Sequence, residues 1–340
     1  MKNLFVLSLF LILLSNITTA QKSEVKVVFY NTENLYDTID NPNKDDNEFL
    51  PASKKEWNTK KYFKKIENIS KVIATIDSAN LPAIVGMAEV ENEIVLDDLI
   101  KSNTLKKASY NYIFRESSDK RGISVALIYK PALLTVISVR NIKIEKKKDT
   151  ASSDELREIL YVKGVFNKKD TLNIFVNHWK SRIGGDEATE PLRIKSALTL
   201  KRIVDSLFNR NQDANIIIMG DFNDNPDNNS VYKHLAAQKP SEQIQKKTLY
   251  NVLMIKYLSG DGTLFYKKWD MFDQIIVSAS LYQQKTKSIH INTNDCGILK
   301  KSWMLYKDKN GNVTPSKTFS GNNYFSGYSD HLPVYITLIY

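Results

Sequence analysis

The chain has 340 residues, 42% of them hydrophobic, a formal net charge of +10 and one cysteine, Cys296. That apolar content is ample for a packed core, and a single cysteine excludes an intrachain disulfide. The basic balance suits polyanions (nucleic acid, phospholipid surfaces or phosphorylated small molecules) without choosing among them.

Residues 1–20 carry Lys2, an apolar stretch from Leu4 to Leu14 and the small-residue exit Thr18-Thr19-Ala20. That is the pattern of a secretory signal peptide cut after Ala20, and the apolar stretch is too short to span a membrane. The expectation is a signal peptide over 1–20 and export to the periplasm or the exterior. One domain over 21–340 follows, with no stable membrane insertion and no obligate protein partner.

β-Branched, apolar runs predict strands over Val25 to Tyr30, Ala83 to Val90, Ile123 to Tyr129, Leu133 to Val139 and Ile159 to Phe166. Others follow over Leu172 to Asn177, Ile216 to Met219, Phe272 to Val277 and Val334 to Ile339. Several are nearly continuous in apolar character and should be buried on both faces. Between them, Tyr62, Ile66, Ile69, Ile73 and Ile76 recur at helical spacing, with Asn58 or Thr59 as cap. A second helix is predicted from Pro191, a residue suited to the first helical position, to Asn209. A short third begins near Asn229 or Ser230 and carries Val231 and Leu235.

Polar loops are expected at 37–58, 141–156 and 294–328, with a hairpin turn at Lys309-Asn310-Gly311-Asn312. The first loop holds Asp37, Asp40, Asp45, Asp46 and Glu48. A structural Ca²⁺ there is conceivable, but the EF-hand spacing and its glycine are missing, which favours a solvated loop. Lysines cluster at 54–65 and at Lys146-Lys147-Lys148, and each cluster reads first as a solvated face. Without an internal repeat or a low-complexity linker, interleaved strands and helices point to one α/β domain.

The informative pattern lies at the strand ends. Apolar runs repeatedly meet polar residues: Asn31-Thr32-Glu33, Glu89, Asn177-His178-Trp179-Lys180-Ser181-Arg182, Gly220-Asp221-Phe222-Asn223, Asp270 to Asp273 and Ser329-Asp330-His331. In α/β folds ligands gather at such ends. Each group alone reads equally as a turn, an ion pair or a hydrogen-bonded histidine, but together the residue types make one site. A hard divalent cation takes oxygen ligands, magnesium usually one or two carboxylates. Glu89 is the first candidate, with Asp330, Glu33 or Asn31 assisting. Asp221 and Asn223, which point the same way if strand geometry persists, suit an oriented water and a phosphate oxygen. His178, His331 and Asn223 can donate to developing charge, with Arg121, Lys180 and Arg182 as cationic neighbours. Asp273 or Asp330 could set the tautomer and pKa of His331.

In this order the motifs resemble the endonuclease/exonuclease/phosphatase superfamily, the DNase I-like group, over Val25 to Ile339. The resemblance implies a four-layer α/β/β/α sandwich of two mixed β-sheets flanked by helices, and an Mg²⁺- or Mn²⁺-dependent phosphoesterase. It implies Glu89 as principal metal ligand and Asn31 as a residue that helps hold the site. It gives His178 to the phosphate, Asp221 and Asn223 to the water and phosphate, Asp273 to pairing with His331, and Asp330 to the metal. Glu33 stands where one branch often has aspartate. His178 stands where repair-type members usually carry tyrosine, which argues against an abasic-site enzyme. The glutamate that pairs with this histidine in the DNase I-like branch has no evident counterpart. The expected function is an exported endonuclease cleaving DNA. A phosphomonoesterase or a phospholipid phosphodiesterase of the inositol phosphate or sphingomyelinase type is the alternative. A non-catalytic polyanion-binding module is the third reading.

Overall fold

The computed structural model describes residues 23–145, 156–283 and 288–340. The expected signal peptide and Lys146-Lys147-Lys148 lie outside the described residues. In chain order the first half gives β1 (Glu24–Leu35), α1 (Thr59–Ile76), β2 (Ile84–Val90), α2 (Glu93–Lys101), β3 (Asn111–Phe114) and β4 (Ser124–Tyr129). It continues with β5 (Leu134–Ile142), β6 (Ile159–Phe166), β7 (Asp170–His178) and α3 (Asp186–Arg210). The second half gives β8 (Asn215–Asp221), β9 (Ala237–Gln238), β10 (Leu249–Asn251), α4 (Met254–Leu258), β11 (Leu264–Tyr266) and β12 (Lys268–Asp270). Then come β13 (Asp273–Ser278), α5 (Ala279–Tyr282), β14 (His290–Ile298), β15 (Leu305–Lys307), β16 (Val313–Pro315), β17 (Phe319–Ser320), β18 (Asn323–Tyr324) and β19 (Val334–Ile339).

Two sheets result, ordered β14-β19-β1-β2-β4-β3 and β5-β6-β7-β8-β13-β10-β9. Both are mixed, because β1 runs parallel to β2 and β7 parallel to β8 while most other pairs are antiparallel. The side-chain period of two explains how they stack. Val27 and Phe29 of β1 meet Ile174, Val176, Ile217, Met219 and Ile275 of the other sheet in one apolar layer. Val28 and Tyr30, one residue out of step, face α1 and α2 through Ile66, Ile69, Ile73 and Leu96. Ile216 and Ile218 face Leu200, Val204 and Phe208 of α3. The architecture is therefore helix, sheet, sheet, helix. Each fully buried aliphatic side chain contributes roughly 1.5–3 kcal/mol, which makes these three layers the main source of stability.

Three local expectations change. The second helix starts at Asp186, so Pro191 lies inside it rather than at its first position. Thr189 Oγ1 donates to Gly185 O at 2.8 Å and Arg193 Nη1 to Thr189 Oγ1 at 2.7 Å, side-chain bonds that fix the opening turn ahead of the proline. The third helical segment is a six-residue π-helix, Asn229–His234. The stretch 294–328 is not only loop: it holds the end of β14 and two hairpins, β15–β16 and β17–β18. The strands of these hairpins are two or three residues long, too short to show an alternating pattern. The turn at Lys309 to Asn312 does close the β15–β16 hairpin, with Gly311 at φ +86.

One close approach sets the spacing beside Asp221. Gly220 lies opposite Asn177, and a Cβ there would sit 2.5 Å from Asn177 O and 2.6 Å from Asn177 Cβ. At Gly86 the obstacle is instead the flexible thioether of Met219. Gly220→Ala is therefore expected to cost at least the ~1–3 kcal/mol typical of overpacking, and Gly86→Ala clearly less. Urea denaturation of the two variants checks this, and equal losses would contradict it.

Candidate active site

The same alternation that builds the inter-sheet core carries polar residues to one edge of it. Asn31 continues the Val27–Phe29 face of β1, His178 the Ile174–Val176 face of β7, and Asp221 the Ile217–Met219 face of β8. β13 is antiparallel and starts where β8 ends, so Asp273 is in register with Asp221, as His178 is from the other side. His178, Asp221 and Asp273 thus form a row across three strands, with Asn31 facing them from the opposite sheet. Asn31 Nδ2 donates to Asp221 Oδ2 at 3.0 Å and bridges the sheets.

Glu89 reaches the same edge by breaking the pattern. Val85, Met87 and Val90 all lie in the helix-facing layer, which strict alternation cannot produce. A bulge does: the pairing of β2 with β4 shifts between Ala88 and Val90, and Glu89 has φ +61. Glu89 is thereby turned to the cleft, where Oε2 accepts Asn34 N–H at 2.8 Å and Oε1 lies 3.5 Å from Asn31 Nδ2. Asn34 and Glu33 are themselves left-handed, with φ +53 and +51. Left-handed backbone at non-glycine residues is costly and clusters at functional sites.

The last contribution comes from the loop before β19. Ser329 Oγ donates to Asn31 O at 2.8 Å and accepts His331 N–H at 3.0 Å, which fastens that loop to β1. Leu332 N donates to Thr263 O at 2.8 Å, and the Thr263 hydroxyl accepts Asp273 N–H at 3.1 Å. His331 Nδ1 then lies 2.7 Å from Asp273 Oδ2, and Nε2 lies 3.9 Å from Asp221 Oδ2 and 3.9 Å from Asp330 Oδ1. Asp273 is therefore the partner of His331, and Asp330 is not. His178 Nε2 lies 3.6 Å from Asp221 Oδ2 and 3.8 Å from Glu89 Oε1. Both imidazoles point at one carboxylate from beyond hydrogen-bond length.

Their electrostatics differ. Burial works against a charged His331, but Asp273, with Asp221 and Asp330 behind it, outweighs burial and raises its pKa well above the usual value. Burial pushes His178 the other way, reinforced by Arg157, Arg121 and His331, so it is neutral. Burial lifts Asp221 to about 6, with Asp273 and Glu89 adding and His331 and the Asn223 N–H opposing. Asp330 is raised by desolvation and then by Glu33 and Glu89.

A model of the Endonuclease/Exonuclease/phosphatase family matches residues 26–339. The chain belongs to this family. No curated protein matches it by sequence. Among solved structures, an endonuclease/exonuclease/phosphatase family protein from Bacteroides thetaiotaomicron superposes with a TM-score of 0.57 at 16% identity, over 94% of this chain and 98% of that one. A mannosyl-6-phosphatase from the same organism gives 0.55 at 15% identity, over 93% and 100%. D. rerio TDP2 complexed with single strand DNA product gives 0.55 at 12% identity, over 93% and 99%. These likenesses carry the fold, the DNase I-like sandwich of two sheets and flanking helices.

Members of this family work with divalent metals. Among the described residues, Asp221, Asp273 and His331 form the group whose ligating atoms lie within 4.8 Å of one another. Asp273 Oδ2 and His331 Nδ1 are already bonded to each other, so this cluster suits proton chemistry better than ligation. The carboxylates of Glu89 and Asp330 are also hard oxygen donors, and Glu89 is one of the negative charges that raise the pKa of Asp330. The carboxylates of the 37–58 loop form no comparable metal-binding group among the described residues.

Several expected site residues are occupied otherwise. Glu33 Oε2 accepts from Lys65 Nζ at 3.1 Å and from Thr318 N at 2.8 Å, a buried ion pair. Lys65 is 1% exposed, so it does not belong to the solvated face expected of the lysines at 54–65. Asn223 does not extend the strand: its φ is +50, its N–H bonds Asp221 Oδ1 at 2.9 Å, and its Nδ2 donates to Trp179 O at 3.1 Å. Its side chain is thus not parallel to that of Asp221. Arg182, expected on the phosphate, instead holds this loop, through Nε to Asn223 O at 2.8 Å and Nη2 to Asp224 Oδ1 at 2.9 Å. Lys180 is half-buried on the same segment as Trp179. Arg121 stands at the cleft edge, 3.4 Å from Asp119. No carboxylate bonds His178 Nδ1 among the described residues. Arg157, which sequence reading missed, holds this segment through bonds to His178 O at 3.2 Å and Trp179 O at 2.8 Å.

Arg182→Ala should therefore lower thermal stability and kcat together with little change in KM. A raised KM at unchanged melting temperature would instead mark a phosphate ligand.

Proposed function

We propose that the protein hydrolyses phosphoester bonds with Mg²⁺ or Mn²⁺ held by Glu89 and Asp330. The observation that carries this is the convergence on Asp221 Oδ2 of Asn31 Nδ2 at 3.0 Å, His178 Nε2 at 3.6 Å and His331 Nε2 at 3.9 Å. The bound cation would neutralise charge on the phosphoryl oxygens. Asp221, fixed by Asn31 and the Asn223 N–H, orients the attacking water and takes its proton, for which a pKa of about 6 is well matched. His331, kept charged by Asp273, and neutral His178 donate Nε2–H to the phosphoryl group as negative charge builds. Arg121 approaches the phosphate from the cleft edge.

Two finer readings have support. The net charge of +10 and the likeness to TDP2, solved with single strand DNA product, support a DNA phosphodiester and an endonuclease. A small cavity beside Asp330 and the likeness to a mannosyl-6-phosphatase support a compact phosphomonoester. The pattern of residues 1–20 supports export, with activity in the periplasm or outside the cell.

Purified protein with Mg²⁺ or Mn²⁺ is expected to turn over at least one member of a panel of supercoiled DNA, RNA, hexose phosphates, an inositol phosphate and sphingomyelin. EDTA should abolish turnover and added metal restore it. Glu89→Gln and His331→Ala should each lower kcat by ~10²-fold or more. Near-normal turnover in both variants would overturn the assigned roles.

A further inference from the structure

The cleft continues past the catalytic cluster. Beyond Asn34 and Asp330 it opens into a cavity of ≈ 460 Å³, within the ~300–1,000 Å³ range of small-molecule sites. One wall is aromatic. Phe49 stacks on Tyr36 at 4.4 Å and 17°, and meets Trp57 edge-on at 6.0 Å, with Phe319 beyond at 5.8 Å from Trp57. Phe49 is the partly exposed ring among these, and Tyr36 and Trp57 buttress it from behind. The rest of the lining is polar and includes Asp45, Arg121 and Lys317.

The charges there are close to balanced. Lys55 pairs with Glu48, Arg121 with Asp119, and Glu33 with Lys65. The side chains of Asp45 and Lys317 make no hydrogen bond or ion pair among the described residues, which leaves one acid and one base beside Asp330. A nucleic-acid strand threaded here would need a net positive lining for its phosphates, which these balanced charges do not supply. A neutral hydroxyl-bearing group would not. Carboxylates accept hydroxyl protons, ammonium groups donate to hydroxyl oxygens, and a supported aromatic face packs against the apolar side of a sugar ring.

We propose that this cavity seats the leaving group of the substrate, a single sugar or polyol, with its phosphate reaching Asn31, His178 and His331. The proposal rests on the phosphoester-hydrolase reading and names its substrate class. In the reaction, water oxygen bonds to phosphorus, the bond from phosphorus to the sugar oxygen breaks, and that oxygen gains a proton. The products are the free sugar and inorganic phosphate.

The test measures kcat/KM with Mn²⁺ for hexose 6-phosphates, glycerol phosphate, bis-p-nitrophenyl phosphate and a single-stranded oligonucleotide. The wild-type chain, Asp45→Asn, Lys317→Ala and Phe49→Ala are compared, and hexose phosphate binding is followed by calorimetry. Wild type should favour a hexose phosphate over the oligonucleotide at least 100-fold. Each variant should lower the ratio of hexose phosphate to bis-p-nitrophenyl phosphate kcat/KM by tenfold or more, mainly through KM. Preference for the oligonucleotide, or a ratio unchanged in all three variants, overturns the proposal while leaving the hydrolase reading intact. If no phosphoester turns over, the hydrolase reading falls, and calorimetry still decides the cavity: binding lost in the variants supports the subsite, and no binding to wild type overturns it.

Discussion

The face-to-face packing of two sheets governs everything else in this molecule. Each strand must send alternate side chains into the shared layer, and Val27, Phe29, Ile174, Val176, Ile217 and Met219 fill it with hydrocarbon. At one edge the same positions become Asn31, His178, Asp221 and Asp273. These polar groups need no special backbone to meet. They inherit their directions from the core, and the Asn31–Asp221 hydrogen bond closes the gap between the sheets. Site and scaffold therefore share one register, and a slip of one residue in β8 would bury Met219 elsewhere and turn Asp221 towards α3.

Where the regular pattern cannot deliver a group, local strain does. Glu89, Glu33, Asn34 and Asn223 all hold left-handed backbone around the cleft. These conformations persist because fixed partners surround them. Asn34 N–H bonds Glu89, Asn223 N–H bonds Asp221, and Arg182 clamps the Asn223 carbonyl. Buried cations behind the site complete the support: Lys65 neutralises Glu33, and Arg193 pairs with Asp224. Removing one partner from such a buried pair typically costs about 3–5 kcal/mol, so these residues hold the shape of the loops around the candidate site.

Charge and shape give different views of the substrate. The whole chain is basic, which draws anions of any kind over distances of about a Debye length, ~8–10 Å in physiological salt. The space next to Asp330 is small, aromatic on one side and nearly neutral. Long-range charge would concentrate phosphates near the cleft, and under the proposed seating of a sugar the cavity would select what is attached to them. A positive net charge and a sugar-sized cavity are thus compatible, because they act at different distances.

The sequence by itself determined most of the scaffold and which polar residues the strand ends bring together. The long β-branched runs are strands because their apolar character is local and continuous, and Asn31, Glu89, His178, Asp221, Asp273 and His331 stood out as polar groups ending such runs. It could not determine the jobs of Arg182, Glu33 and Asn223. An arginine near a phosphate motif and an arginine that clamps its loop look alike until the partner is known, and Asp224 and the Asn223 carbonyl are 41–42 residues away. The bulge at Glu89 was equally hidden, since nothing in Ala88-Glu89-Val90 announces a left-handed residue. Lys65 and Arg157 were invisible for the same reason: their partners lie on other elements of the fold. Local pattern fixes which faces are apolar, but pairings between distant side chains exist only once the two sheets have closed.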